Sequence, residues 1–598
     1  SLLRYSLMDS FNVNGKSMIC SAALVSWSVL LTSLPHAVES GWIDPDTPSN
    51  FHSTVAQTKD DAREYALVFS DEFETEGRSF ADGQDPRWTA IDKNDYTNNA
   101  LHYYKHENAR TMNGVLNITT EFKDNDYKAF NEKTKKYYTD TKHVQSAMLQ
   151  GWNKFCITGG IVEFSAKLPG KSNIGGHWPA LWMLGNLARA TYVGSSDWVW
   201  PFSYDKCDQS KTKQQEINAC RKISHYGMKP GIGRGAPEID ILEAMGGEAG
   251  RLPSTPIQRP YFSSSLQVAP GFSKNRPLIM HQPKAGHWYE GLEYGDKNTT
   301  SLNPFFYGVT LVHKPKDYTY QSDAISANTG IDESYFKKEN IYRIEWEPSN
   351  KDGTGGYVRW YVNRKFLFGI KGDSLNITGA SIPREPMYMI MNTAVASSWG
   401  FPVPCPEGCN CDCYECGNPD CDCAIPTGYC DNFPAHFEIG YIRIWQAVGD
   451  DNQQVGCSTE DRPTDLFIKG HKMRYMDDGE KEPLLAVHYG GAKCESDLDC
   501  GGSIHGNCSS SATCVCNEGF AGYNCLAYDG FDDYPFRSFD DSLPVSKPLL
   551  PKPLVAISLV LSTAFCASLF VIVLKKRQEK KLIYSIGEGE LLNPTYEQ

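Results

Sequence analysis

Ala236-Pro237-Glu238-Ile239-Asp240-Ile241-Leu242-Glu243-Ala244 sets three carboxylates among apolar residues, and Gly246-Gly247 follows as a turn signal. An alternating acidic and apolar run of this length reads as a short β-strand. Alternation puts Glu238 and Asp240 on one face and Ile239 and Ile241 on the other. Unbroken alternation sends Glu243 to the far face. One extra residue, a β-bulge near Ile241-Leu242, returns it to the face of Glu238 and Asp240. Four effective strand steps span about 13 Å, and two Glu side chains leaning inward by about 4 Å each leave their carboxyls about 5 Å apart. That separation is the one a retaining glycosidase uses. A merely solvated acidic strand alternates its acids with polar neighbours rather than with Ile and Leu, so the run is read as catalytic.

Outward from this strand, short segments of strand character recur between Gly and Pro turns. They include Glu64 to Phe73, Gly114 to Ile118, Gly160 to Lys167, Tyr342 to Glu347, Tyr357 to Val362, Met387 to Ala394 and Phe437 to Trp445. Frequent short strands with few long helical patterns predict an all-β antiparallel sandwich. The 598 residues suffice for one large β-domain plus smaller modules. A formal charge of −14 excludes the basic profile of a nucleic-acid partner and suits a neutral polysaccharide. Twenty cysteines point to an oxidising compartment. The sequons at Asn117, Asn298, Asn376 and Asn507 agree with secretion and are read as glycosylation sites.

The pattern E-x-D-x-x-E resembles the signature of glycoside hydrolase family 16 in its bulged form. Three stretches in order, Gly176-His177-Trp178-Pro179-Ala180-Leu181-Trp182-Met183-Leu184-Gly185-Asn186-Leu187, Trp200-Pro201-Phe202-Ser203-Tyr204-Asp205-Lys206-Cys207-Asp208 and Ala236 to Ala244, resemble the fungal-type β-1,6-glucan synthesis-associated proteins of that family. The looser resemblance runs from about Leu67 to Gln446. It implies a concanavalin A-like β-jelly roll whose concave sheet forms a sugar cleft. It further implies Glu238 as nucleophile and Glu243 as general acid/base, with Asp240 between them. Three acids so close cannot all ionise cheaply, so a shared proton is expected to hold Glu243 protonated while Glu238 attacks. The expected chemistry is retaining hydrolysis or transglycosylation of β-1,3 or β-1,6 glucan in wall synthesis or remodelling.

Sugar rings stack their C–H faces on aromatics, which makes Trp178, Trp182, Trp198, Trp200, Tyr204 and Trp399 subsite candidates, with Gln267 and Asn392 as polar contacts. Trp178 and Trp182 stand four apart on a strand-like run and share a face. No cofactor or metal is expected. The rival reading is a non-catalytic glucan receptor or assembly scaffold, against which the intact acid trio weighs.

The remaining chain is read as follows. Residues 1–40 form a signal peptide, with an apolar run from Met18 to Leu34 and small residues before the cleavage point. The glucan-active domain occupies 41–449. Within it Thr191 to Gly235 is loop-like, with Cys207 and Cys220 as a candidate pair, and Cys405 to Cys430 carries eight cysteines, read as disulfides rather than zinc ligands. A polar connector, 450–493, follows. Cys494, Cys500, Cys508, Cys514, Cys516 and Cys525 resemble an EGF-like module over 494–525, whose family pairing is first to third, second to fourth and fifth to sixth. Gly491-Ala492-Lys493 offers no carboxylate, which argues against a calcium-binding variant. A stalk, 526–553, leads to Leu554 to Leu574, whose 21 residues reach about 31 Å as a helix, enough for one membrane span. Lys575-Lys576-Arg577 and Lys580-Lys581 place the tail, 575–598, in the cytoplasm. The expected topology is single-pass type I, at the plasma membrane or in the secretory pathway. Asn593-Pro594-Thr595-Tyr596 in that tail resembles a signal for an endocytic adaptor.

Overall fold

The computed structural model describes residues 42–528 apart from short stretches, the longest being 250–255, 273–282, 304–308 and 477–489. The expected leader, membrane span and tail, and all but the start of the stalk, lie outside the described residues. Among the described residues no helix is long and apolar enough to cross a membrane.

Two antiparallel sheets stack face to face, as the strand spacing predicts. The strands used below are β1 (Glu64–Asp71), β2 (Val115–Asn131), β3 (Gly160–Lys167), β4 (Trp178–Gly185), β5 (Glu238–Met245) and β6 (Tyr261–Val268). Then follow β7 (Tyr318–Gly330), β8 (Asn340–Glu347), β9 (Tyr357–Val362), β10 (Lys365–Lys371), β11 (Met387–Ala394) and β12 (Ala435–Ala447). One sheet runs β10-β9-β8-β3-β12-β2, with β1 also on β12; the other runs β7-β6-β5-β4-β11. The acid strand β5 is central in the second sheet, paired with β4 and β6. Period-two alternation gives each strand an inner face. Val162, Phe164, Ile344, Val358, Trp360, Ile442 and Ile444 from the first sheet meet Leu181, Met183, Ile239, Ile241, Leu242, Leu266 and Met389 from the second, all nearly solvent-free.

The loops behave largely as read. Cys207 pairs with Cys220, and the Cys-rich insertion contains Cys409–Cys423, Cys413–Cys421 and Cys416–Cys430. In the distal segment the pairs are Cys494–Cys508, Cys500–Cys514 and Cys516–Cys525, the pairing that the resemblance implied. The insertion packs on the start of β4 at Gly176, whose φ is 122° and where a Cβ would lie 2.3 Å from the Tyr429 ring, so only glycine fits.

The stretch read as a connector differs. Up to Tyr475 it is part of the β-domain: Gln454–Val455 pairs with Ile157–Thr158, Cys457 is bonded to Cys156, and a short helix, Asp465–Gly470, buries Phe467 and Ile468. Tyr475 stacks on Trp152 with ring centroids 5.3 Å apart. Its anchors are scattered aromatics, a disulfide and ion pairs such as Arg474–Glu216 at 2.7 Å. No continuous apolar run announces them, which is why composition reads as linker.

Candidate active site

The bulge lies where the acid pattern requires it. On one side of β5, Asp240 is opposite Ser265 and Glu243 opposite Ser263, so Ile241 and Leu242 together face the single residue Ser264. On the other side Trp182 pairs with Asp240 and Leu181 with Leu242, skipping Ile241. Both bulge residues therefore drop into the core, at 1 % and 0 % exposure, and Glu243 returns to the face of Glu238 and Asp240.

Each acid is held by donors from neighbouring elements. Trp200 Nε1 donates to Glu238 Oε2 at 2.8 Å, and Gln267 Nε2 donates to Glu238 Oε1 at 2.9 Å and to Asp240 Oδ2 at 3.1 Å. The Ser265 hydroxyl also donates to Asp240 Oδ2. Trp178 Nε1 donates to Glu243 Oε1 at 3.1 Å, while Oε2 of Glu243 is buried with no hydrogen-bond partner. Trp182 Nε1 donates to Asn392 Oδ1 at 2.7 Å, and Asn392 in turn donates to the Tyr104 hydroxyl at 3.2 Å. Trp399 packs edge-on against Trp178, centroids 5.6 Å apart.

The electrostatics follow from burial. The Glu243 carboxyl is pushed well above the ordinary carboxylate range by burial and then by the charge of Asp240, against hydrogen bonds from Trp399 and Trp178. Glu238 is pushed well above that range by burial and then by the charges of Asp240 and Glu243, opposed by the Trp200 indole. Burial raises Asp240 too, but Ser265, Gln267 and a hydrogen bond from the Glu238 carboxyl all favour its charged form. All three carboxyls are thus raised by burial, and Asp240 is the one whose charged form receives the most hydrogen-bond support.

The structure brings together the acids with Trp178, Trp200, Gln267 and Trp399, and sets Trp182 and Asn392 beside them on β4 and β11. The tryptophans had been expected as stacking surfaces; here the Trp178 and Trp200 indoles act as hydrogen-bond donors to the acids. Trp198 is half-buried with its φ at 63°. Tyr204 is placed differently from the others. It is buried in a small cluster with Phe202 and Ala269, the Lys211 ammonium lying 5.0 Å from its ring centre, so it packs the Trp200 loop. Among the sequons Asn298, Asn376 and Asn507 are exposed, whereas Asn117 is 7 % exposed, its Oδ1 engaged by Thr119 and His436. Asn117 is by exposure the poorest glycan acceptor of the four.

Sequence reasoning missed Ser265 and Arg259. The Arg259 guanidinium, 4 % exposed, donates to the backbone carbonyls of Gly246, Trp399, Gly400 and Phe401 at 2.8–3.3 Å. It ties the end of the acid strand to the loop carrying Trp399. A lone arginine beside a proline carries no local signal of this.

Comparison with known proteins supplies the family. Residues 10–403 match the model of the beta-glucan synthesis-associated protein SKN1/KRE6/Sbg1 family. The chain is 32 % identical over 461 residues to beta-glucan synthesis-associated protein SKN1 of Saccharomyces cerevisiae, covering 73 % of this chain and 50 % of that protein. It is 32 % identical over 457 residues to KRE6 of the same yeast, covering 73 % of this chain and 53 % of the relative. The chain spans about half the length of these relatives. Among solved structures it is similar to the catalytic domain of an endo-1,3-beta-glucanase (laminarinase) from Thermotoga petrophila RKU-1, at 21 % identity and a TM-score of 0.35, covering 65 % of this chain and 100 % of that one. On the family match and the yeast relatives, the chain belongs to the SKN1/KRE6/Sbg1 family of beta-glucan synthesis-associated proteins.

Proposed function

We propose that the protein is a membrane-anchored retaining β-glucan hydrolase or transglycosylase that builds or remodels β-1,3/β-1,6 glucan and so organises a cell wall. The observation that carries this reading is the bulge at Ile241-Leu242, which puts Glu243 on the face of Glu238 and Asp240. In the first step the Glu238 carboxylate attacks the anomeric carbon while the Glu243 carboxylic acid protonates the departing glycosidic oxygen. The proton that Glu238 shares with Asp240 passes to Asp240 as Glu238 becomes the nucleophile. Asp240 is then neutral, so that of the two influences raising the Glu243 carboxyl, burial first and the Asp240 charge second, only burial remains. Glu243, left as a carboxylate by the first step, accepts a proton from the incoming hydroxyl in the second step. That hydroxyl belongs to water in hydrolysis and to a glucan in transfer. The Trp200 loop, hydrogen-bonded to Glu238, and the Cys-rich insertion, packed at the start of β4, favour transfer by limiting water.

The test is incubation of the purified chain with defined β-1,3- and β-1,6-linked oligosaccharides, followed by sizing of products. Larger products mean transfer and smaller ones alone mean hydrolysis. Bound oligosaccharide without turnover of any linkage would replace this reading with a glucan receptor or scaffold.

A further inference from the structure

On β9, in the opposite sheet from the acids, Trp360 is 1 % exposed, and its indole N–H donates to the backbone carbonyl of Asp240 at 2.8 Å. Ladder carbonyls lie in the plane of their own sheet and pair with neighbouring strands. This one is met from across the core, at the last residue before the two-for-one bulge. The next carbonyl, that of Ile241, receives the Ser264 hydroxyl of β6 at 3.3 Å. Both carbonyls at the break in the ladder are therefore capped by side chains, one from the facing sheet and one from the neighbouring strand. A bulge disrupts the ladder locally, and buried backbone groups there require partners from elsewhere.

We propose that Trp360 is a positioning residue for the acid trio: its indole holds the Asp240 peptide in the setting that the bulge needs, and so fixes where Glu243 stands relative to Glu238. Together with the burial of Ile241 and Leu242 it opposes relaxation of β5 toward regular alternation, which turns Glu243 away from Glu238; without it the Asp240 carbonyl loses its cross-core donor. The inference rests on the glycosidase reading for its kinetic consequence, but the geometry it describes does not.

A matched control lies on the adjacent strand. Trp346 of β8 is also 1 % exposed and also donates across the core to a backbone carbonyl, that of Pro383 at 3.1 Å, which is not on the acid strand. Trp360→Phe and Trp346→Phe each remove one buried indole donor while keeping an aromatic ring. In the full chain, Trp346→Phe should keep kcat within about two-fold of the wild type. Trp360→Phe should lower kcat about 10- to 100-fold with KM nearly unchanged, as expected for a small misplacement of reacting groups, and should move the pH profile. Equal kcat and equal pH profiles for the two variants would overturn the proposal. If the wild type turns over no glucan, the glycosidase reading fails but the positioning can still be read. With 5-fluorotryptophan incorporated, the Trp178 and Trp200 ¹⁹F signals report titration of the acids their indoles touch, assigned by Trp178→Phe and Trp200→Phe. Their midpoints should shift in Trp360→Phe and stay put in Trp346→Phe; unmoved midpoints in both would refute the role. Should Trp360→Phe fail to fold, 3-benzothienylalanine at position 360 deletes only the N–H and is held to the same outcomes.

Discussion

Trp200 and Glu238 are joined by an indole N–H to carboxylate bond of 2.8 Å, across 38 residues of sequence and from a loop to a strand. The donor favours the charged form of the acid it touches, while burial favours the neutral one. The nucleophile candidate is thus poised between two opposed influences.

Glu238→Gln should abolish glucan turnover, by a factor on the order of 10⁴ or more in kcat, with oligosaccharide binding retained. Glu243→Gln should lose a comparable factor on natural glucan and much less on an aryl glycoside, whose leaving group needs no protonation. Initial rates on both substrates check the assignment. Similar losses for the two variants on the aryl glycoside would reverse or void the roles.

Gln267 serves two acids at once. Gln267→Leu keeps the volume but strips a donor from Glu238 and from Asp240, and each loses a bond that favours its charged form. Loss of a hydrogen bond to a charged group costs about 1.5–3 kcal/mol, so kcat should fall roughly 10- to 100-fold. The acidic limb of the pH–rate profile should move upward. A pH-rate series on the variant and the wild type reads both effects.

The raised acids make a prediction about stability. A carboxyl whose folded pKa lies above its unfolded value binds its proton more tightly in the folded state, so stability is highest at low pH. It falls as pH rises from about 4.3, the unfolded Glu value, towards the raised folded value. Burial and the Asp240 charge place Glu243 in this class. Glu243→Gln should therefore raise the Tm near pH 7 by about 1–3 °C and leave it nearly unchanged near pH 4. Thermal melts at the two pH values decide it, and a destabilised variant at pH 7 would contradict it.

Arg259 closes the Trp399 loop with four contacts to backbone carbonyls. Arg259→Met should destabilise the domain by about 2–4 kcal/mol by leaving buried carbonyls unpaired. Arg259→Lys keeps the charge but cannot span the same acceptors, so it should fold with a raised KM. Denaturant unfolding and Michaelis kinetics separate the two.

Much of the fold was legible because its strands obey simple alternation. Gly160–Lys167, Tyr357–Val362 and Met387–Ala394 form with the bounds read from their patterns. The acid strand was legible because its alternation fails in one place: two adjacent apolar residues, Ile241 and Leu242, between acids only make sense if both are buried. What escaped was anything that depends on partners distant in sequence. Ser265 and Arg259 reach the site through strand register and loop closure, which leave no mark on their neighbours. Tyr204 misled because an aromatic in a tryptophan-rich loop looks the same whether it faces a ligand or packs the loop itself. The segment ending at Tyr475 escaped because its attachments are a two-residue strand, one short helix and single residues such as Cys457, too short to leave a periodic pattern.

That late attachment matters for how the protein is made. Cys457 meets Cys156 across 301 residues, and Gln454–Val455 completes a sheet edge begun at Ile157–Thr158. During synthesis the earlier partner must wait, unpaired, while nearly the whole domain emerges behind it. A nascent chain stopped at residue 449 carries every group of the acid trio and yet leaves that edge open and one thiol without its mate. Such a truncation should melt at a lower temperature than a chain that reaches past Tyr475.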